Sequence, residues 1–190
     1  MNNEHLFGRK VDATGRSTTE LADSKHRKRN QAPAGEPFIW LTKEMIESPT
    51  WRVMSGNARL VVDRIAIEHM SHAGTLNGAL PVTFDNFEQF GIWRGSIVSA
   101  INEAVAMGFV DLAEKGTRGY GDLPGKPNLF RLSWLPTATG EPANARWRRF
   151  QTLTSAERAA KQVRQSAAAR RAPRKKQEVN SIPQLRRAAE

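Results

Sequence analysis

Arg94, Ser96, Ser99 and Asn102, with Trp93 just ahead of them, are spaced to share the outward side of one helix. Ile97, Ile101 and Val105, reinforced by Ala100 and Ala104, recur at helical spacing and take the inward side. A guanidinium can pair with the edge of guanine, an amide with adenine, and serine hydroxyls with bases or phosphates. The arrangement offers base-reading chemistry on a helix anchored by its other face, although the same residues would also serve as an ordinary solvated face.

Other groups of chemically capable residues lie downstream. The loop 115–127 carries Lys115, Arg118 and Lys126 among glycines and prolines, as a flexible hairpin tip touching phosphate would; such charges also discourage edge pairing. Within it, Gly121-Asp-Leu-Pro-Gly-Lys126 looks like a phosphate-binding loop. It is one residue short, has Pro127 where Ser or Thr is required and leads into a strand, so that reading is rejected. Arg146, Arg148 and Arg149 surround Trp147 and precede Phe150, and Arg170, Arg171, Arg174, Lys175 and Lys176 follow. These are candidates for sequence-independent phosphate contact, with the two aromatics either anchoring the segment on a domain or stacking on bases. His69 and His72, beside Glu68, have helical spacing that suits a metal but lack a third ligand, so no metal site is expected. No nucleophile–base pair or carboxylate constellation stands out, and there are no cysteines. The residues therefore imply neither an enzyme nor a cofactor, and neither a disulfide scaffold nor a thiolate metal site.

The elements that must position these residues can be read from caps and periodicity. Thr42 fits as the cap of a brief helix holding Met45 and Ile46, closed by Ser48-Pro49. Ser55 precedes a longer helix in which Ala58, Val61, Val62 and Ile65 form an apolar stripe, with Gly74 as its stop. A short extended piece, 79–82, leads to Thr83 as the cap of a helix with Phe87 and Phe90 on one face. Gly91 ends that helix and the Arg94–Asn102 helix follows, stopped in turn by Gly108. Two short helices across a tight glycine turn make a helix-turn-helix. Residues 109–114 and 128–135 alternate as strands on either side of the 115–127 loop. The order is that of a winged helix: mainly α, with a small antiparallel β-hairpin wing and a third strand from 79–82.

Charge divides the chain. The net formal charge is +10, but residues 1–36 hold 7 basic and 5 acidic side chains, residues 37–140 hold 9 and 10, and residues 141–190 hold 13 and 4. The middle part also has four of the five tryptophans and six of the eight phenylalanines. We expect a folded winged-helix domain over 37–140 and a disordered arm over 1–36, with the basic cluster Lys25–Arg29 and the breaker run Gln31–Gly35. The basic, Ala/Arg-rich tail over 141–190 is expected to be partly helical or disordered. In it, Thr154-Ser-Ala-Glu157 fits a capping box for a helix 155–171 that has almost nothing to bury. Neither a membrane-spanning run nor a secretory leader is visible, so a cytoplasmic, nucleoid-associated protein is expected.

Leu41-Thr-Lys-Glu-Met-Ile-Glu-Ser-Pro-Thr-Trp51, Gly78-Ala-Leu-Pro-Val-Thr-Phe-Asp-Asn-Phe87, Gly91-Ile-Trp-Arg-Gly-Ser-Ile97 and Pro127-Asn-Leu-Phe-Arg-Leu132 carry a resemblance. The stretch from Phe38 to Trp134 resembles a group of small, largely uncharacterised bacterial winged-helix proteins. More remotely, it is similar to the DNA-binding N-terminal domains of phage and plasmid replication initiators. The resemblance implies non-enzymatic, sequence-specific binding of double-stranded DNA in transcriptional regulation or replication of a mobile element, with other replication or transcription proteins as further partners. Trp93 departs from the pattern by standing where a Ser or Thr cap is usual, so the register of Arg94 turns on where the helix begins. The competing expectation is a protein-interaction module with a nucleic-acid-binding tail, RNA included, because a net charge of −1 over 37–140 is low for a DNA reader.

Overall fold

A computed structural model of the chain describes residues 4–6, 9–10, 35–120 and 124–171, and the side chains of residues 35–120 and 124–169. Two compact units are present, Met1–Trp40 and Leu41–Glu190. In the first, β1 (Glu4–Leu6) and β2 (Arg9–Lys10) pair antiparallel, where no structure is expected from the sequence. The basic cluster at 25–29 lies outside the described residues.

The second unit opens with two five-residue helices, α1 (Lys43–Glu47) and α2 (Pro49–Val53). Thr42 caps α1, and Ser48 both closes α1, donating to the Met45 carbonyl at 2.6 Å, and opens α2, accepting from the Trp51 amide at 3.2 Å. Ser55 then caps α3 (Gly56–Ser71), which buries Ala58, Val61, Val62, Ile65, Ala66 and His69 along one face. Past the turn, β3 (Leu80–Val82) leads to α4 (Phe84–Gln89), held at its start by a reciprocal Thr83–Asn86 capping box. Gly91, at φ +99°, makes the turn that a side chain would strain. A 3-10 turn, Arg94–Ser96, runs directly into α5 (Ile97–Ala106).

β4 (Val110–Glu114) and β5 (Asn128–Leu132) form a hairpin, and β3 adds to the free side of β5. The resulting three-stranded antiparallel sheet has the order β3-β5-β4, with Leu80 opposite Phe130 and Val110 opposite Leu132. The unit is thus mainly α with a small antiparallel sheet. Phe87 meets Phe130 edge-on at 5.9 Å, and Ile65, Leu80, Ile92, Ile97, Met107 and Leu132 fill the space between sheet and helices, all fully buried. The turn residue Asn77 is buried as well. Its amide donates to the carbonyls of Leu132, Leu135 and Pro136 and its oxygen accepts from the Leu132 amide at 2.7 Å, which fixes the end of β5.

Past residue 140 the chain stays on the domain. Trp147, 4% exposed, stacks on Phe109 with ring centroids 6.0 Å apart, and Phe109 also meets Trp51 and Trp134 edge-on. Gly108 allows this closure: its φ is +79°, and a Cβ there would lie 2.5 Å from the Arg146 backbone. The last helix, α6 (Leu153–Arg171), packs across α2 and α5 with Ala156 and Ala160 fully buried. Its first turn is capped by Thr152, which accepts from the Ser155 amide, two residues ahead of the Thr154 expected from the sequence. The folded part therefore extends at least to α6, beyond the 37–140 expected. The reason is that α6 is seated by alanines, which permit close helix contact without a visible apolar stripe. No helix is long and apolar enough to cross a membrane among the described residues.

Candidate nucleic-acid interface

Ile97, Ala100, Ile101 and Ala104 face the core, and Val105 is half-buried, as the apolar spacing of α5 requires. The outward surface differs in detail from the sequence reading. Trp93 precedes a 3-10 turn rather than capping an α-helix, and no side-chain bond closes that end. Arg94 consequently leans toward α4. One of its terminal nitrogens lies 2.6 Å from the Asp85 carboxylate and 2.7 Å from Glu88, all three groups being well exposed. The Asp85 bond, seconded by Glu88, holds this guanidinium yet more firmly protonated. Ser96 is half-buried, and the half-buried Ser99 donates to the Ser96 carbonyl, so this hydroxyl is engaged within its own helix. Asn102 is exposed and its amide meets no other described residue.

Val98 and Gly95, which the sequence reading passed over, complete this surface beside Trp93. Val98 is 53% exposed and Trp93 71%. Gly95 lies beneath the Trp93 indole: a Cβ at 95 would be 2.3 Å from two carbons of the six-membered ring. The signal for Val98 was its place one turn after Arg94 on the polar side of the helix, where a β-branched apolar residue has no core to join.

The hairpin loop closes through paired backbone bonds between Thr117 and Lys126, both 3.0 Å, and through the Asn128 side chain, which accepts from the Gly116 amide. Lys115, Arg118 and Lys126 are exposed and form no ion pair among the described residues. Of the two expected groups, the structure brings Arg94 and Arg118 to one cleft. Phe84, Arg94, Gly116, Thr117, Arg118 and Asn128 line one cleft of about 500 Å³ between the start of α4, the 3-10 turn and the loop.

The candidate phosphate binders of the tail are placed otherwise. Arg146 pairs with Asp111, Arg148 pairs with Glu44 at 2.7 Å and lies over the Trp147 ring, and Arg149 donates to the Ala106 carbonyl and covers Phe150. All three fasten the post-140 segment to the domain. The side chains of Arg170 and Arg171, and the whole of Arg174, Lys175 and Lys176, lie outside the described residues.

Behind the outward surface, Glu103 is 3% exposed. Its carboxylate accepts from the Ser55 amide and hydroxyl, each at 2.8 Å, and from Arg164 of α6 at 2.5 Å. Burial alone would raise this carboxyl, but the bonds from Arg164 and Ser55 outweigh it and hold the group below its ordinary range. Glu103 thus ties the N-terminus of α3 and the side of α6 to the back of α5.

His72 bonds to Glu68 at 3.0 Å, and burial lowers the pKa of His69; no cluster of three potential metal ligands occurs among the described residues. No protein-family model, curated protein or solved structure matches the chain.

Proposed function

We propose that the second unit is a winged helix that binds double-stranded DNA without catalysis, laying α5 in the major groove and the 115–127 wing against the phosphates. One observation carries the reading: the order α3-β3-α4-α5-β4-β5, with sheet order β3-β5-β4, sets the 3-10 turn that leads into α5 and the hairpin loop on either side of one cleft, with Arg94 and Arg118 on its walls. A helix framed by a cationic loop suits a groove bordered by phosphates. The resemblance of the stretch from Phe38 to Trp134 to small bacterial winged-helix proteins, and more remotely to the N-terminal domains of replication initiators, adds support, and the role is in transcriptional control or replication initiation.

Selection of bound fragments from a random duplex pool, followed by titration, tests the reading. Asn102→Ala should cost about tenfold in preference for the selected site, the scale of one lost bidentate base contact. The double substitution Arg118→Ala, Lys126→Ala should weaken all duplexes alike and lower the slope of log affinity against log salt by about 2. Recovery of no duplex above background would sink the proposal.

A second reading draws on a specific observation. Trp93 and Val98 are exposed, and the acids beside Arg94 leave that corner without excess positive charge. Such a surface also suits a protein partner, with nucleic acid left to the tail. Partner capture that survives Asn102→Ala but fails with Val98→Asp, with no duplex selected, would favour it.

A further inference from the structure

We infer that the outward strip of α5 selects A·T base pairs, reading thymine methyl groups with Trp93 and Val98 and adenine with Asn102, while Arg94 takes no part in base choice. The inference rests on the duplex-DNA reading above and specifies what that surface recognises.

Positions 95, 98 and 102 fall on one face of the continuous 3-10 and α-helical run, spaced i, i+3 and i+7. Position 95 has no side chain of its own, and the six-membered ring of Trp93 fills the place where one would begin. Neighbouring side chains at this spacing start roughly 5–6 Å apart. The strip therefore presents an aromatic ring, then the two methyls of Val98, then the amide of Asn102, all exposed. In the major groove the one apolar feature is the thymine methyl, and an asparagine amide matches the paired donor and acceptor of adenine. Guanine asks for a guanidinium or ammonium. Arg94 is the cation at this end of α5, and Asp85 and Glu88 both hold the same nitrogen of it, turned toward α4.

Charge complementarity argues for a duplex on this strip rather than an apolar protein surface. The loop 115–127 carries Lys115, Arg118 and Lys126 against the one acid Asp122, and Arg118 borders the cleft that Arg94 also lines. A strip that is apolar in the middle and cationic at its flank fits a groove floor with methyl groups and phosphate walls.

The test uses the full chain and the duplex recovered from a random pool, resynthesised with deoxyuridine replacing one thymine at a time. This removes a single methyl and leaves base pairing and the groove hydrogen bonds intact, so it requires no altered protein. The selected core should be A·T-rich, and each contacted thymine should lose about fourfold in affinity as uracil, the scale of one buried carbon. Val98→Ala should erase the thymine–uracil difference at one position. Gly95→Ala, which displaces the indole without removing it, should erase it at the adjoining one. Arg94→Ala should weaken binding to all duplexes alike and leave the identity of the selected bases unchanged. Equal affinity for thymine and uracil duplexes, or a G·C core that disappears with Arg94→Ala, overturns this inference and leaves duplex binding standing. Recovery of no duplex at all overturns both.

Discussion

A carboxylate as enclosed as Glu103 is stable only if its charge is answered, and Ser55 and Arg164 answer it from two other helices. Glu103→Gln keeps the shape, removes the charge and should cost about 1–3 kcal/mol at neutral pH, read from urea midpoints. The pH dependence gives a sharper check. A carboxyl held below its ordinary value of 4.5 contributes stability that is complete above that value and is lost as the pH falls through the lowered one. The urea midpoint of the unaltered protein should therefore decline below about pH 4.5, and Glu103→Gln should flatten that decline. His69 acts in a separate window. Burial lowers it from 6.5, so the neutral ring is favoured in the fold, and its contribution, present above 6.5, falls away as acid protonates it below that value. Midpoints from pH 8 to pH 3 should show both bends in the unaltered protein and only the upper one in Glu103→Gln.

Among the elements, α6 shows what small residues do. Ala156 and Ala160, one turn apart and fully buried, let the helix lie close on its neighbours. Ala160→Leu should overfill that contact and cost about 1–3 kcal/mol in thermal or urea unfolding. Ala169→Leu, on an exposed position of the same helix, should change stability by less than about 0.5 kcal/mol. The same contrast explains which elements were legible in the sequence. α3, α4 and α5 announce themselves through Ser55, Thr83 and the stripes of Val61, Ile65, Ile97 and Ile101, because cap chemistry and large apolar side chains are local signals. The strands on either side of the 115–127 loop were equally clear. By contrast, α6 read as a helix with nothing to bury, since alanines at helical spacing look like propensity rather than packing. The buried roles of Asn77 and Glu103 were not legible, because their partners stand 55 and 61 residues away along the chain. At the candidate site, the outward placement of Arg94 and Asn102 was legible. The pairing of Arg94 with Asp85 and Glu88, and the indole lying on Gly95, depend on the 3-10 start of the helix, which no residue type declares.

For the whole molecule, the charge imbalance separates into cations that hold the fold together and cations that remain for a partner. Arg146, Arg148 and Arg149 belong to the first class, with Trp147 stacked on Phe109 between them. A fragment cut to 37–140 discards all of these and α6, so it should lack a cooperative melting transition, whereas 41–171 should retain one. Trp147→Ala in the full chain should already cost about 3–5 kcal/mol. Residues 172–190 hold five basic and two acidic side chains, which by charge alone makes them candidates for the second class. A chain ending at Arg171 should therefore melt like the full protein yet bind duplex DNA with a shallower salt dependence, the slope falling by up to about 4–5 if every removed cation releases a counterion. Replacing Arg146, Arg148 and Arg149 together should do the reverse, lowering the melting temperature while leaving the slope near its original value. Equal slopes for the full chain and the chain ending at Arg171 would mean that the basic end has no part in phosphate contact, leaving affinity to the wing cations Lys115, Arg118 and Lys126.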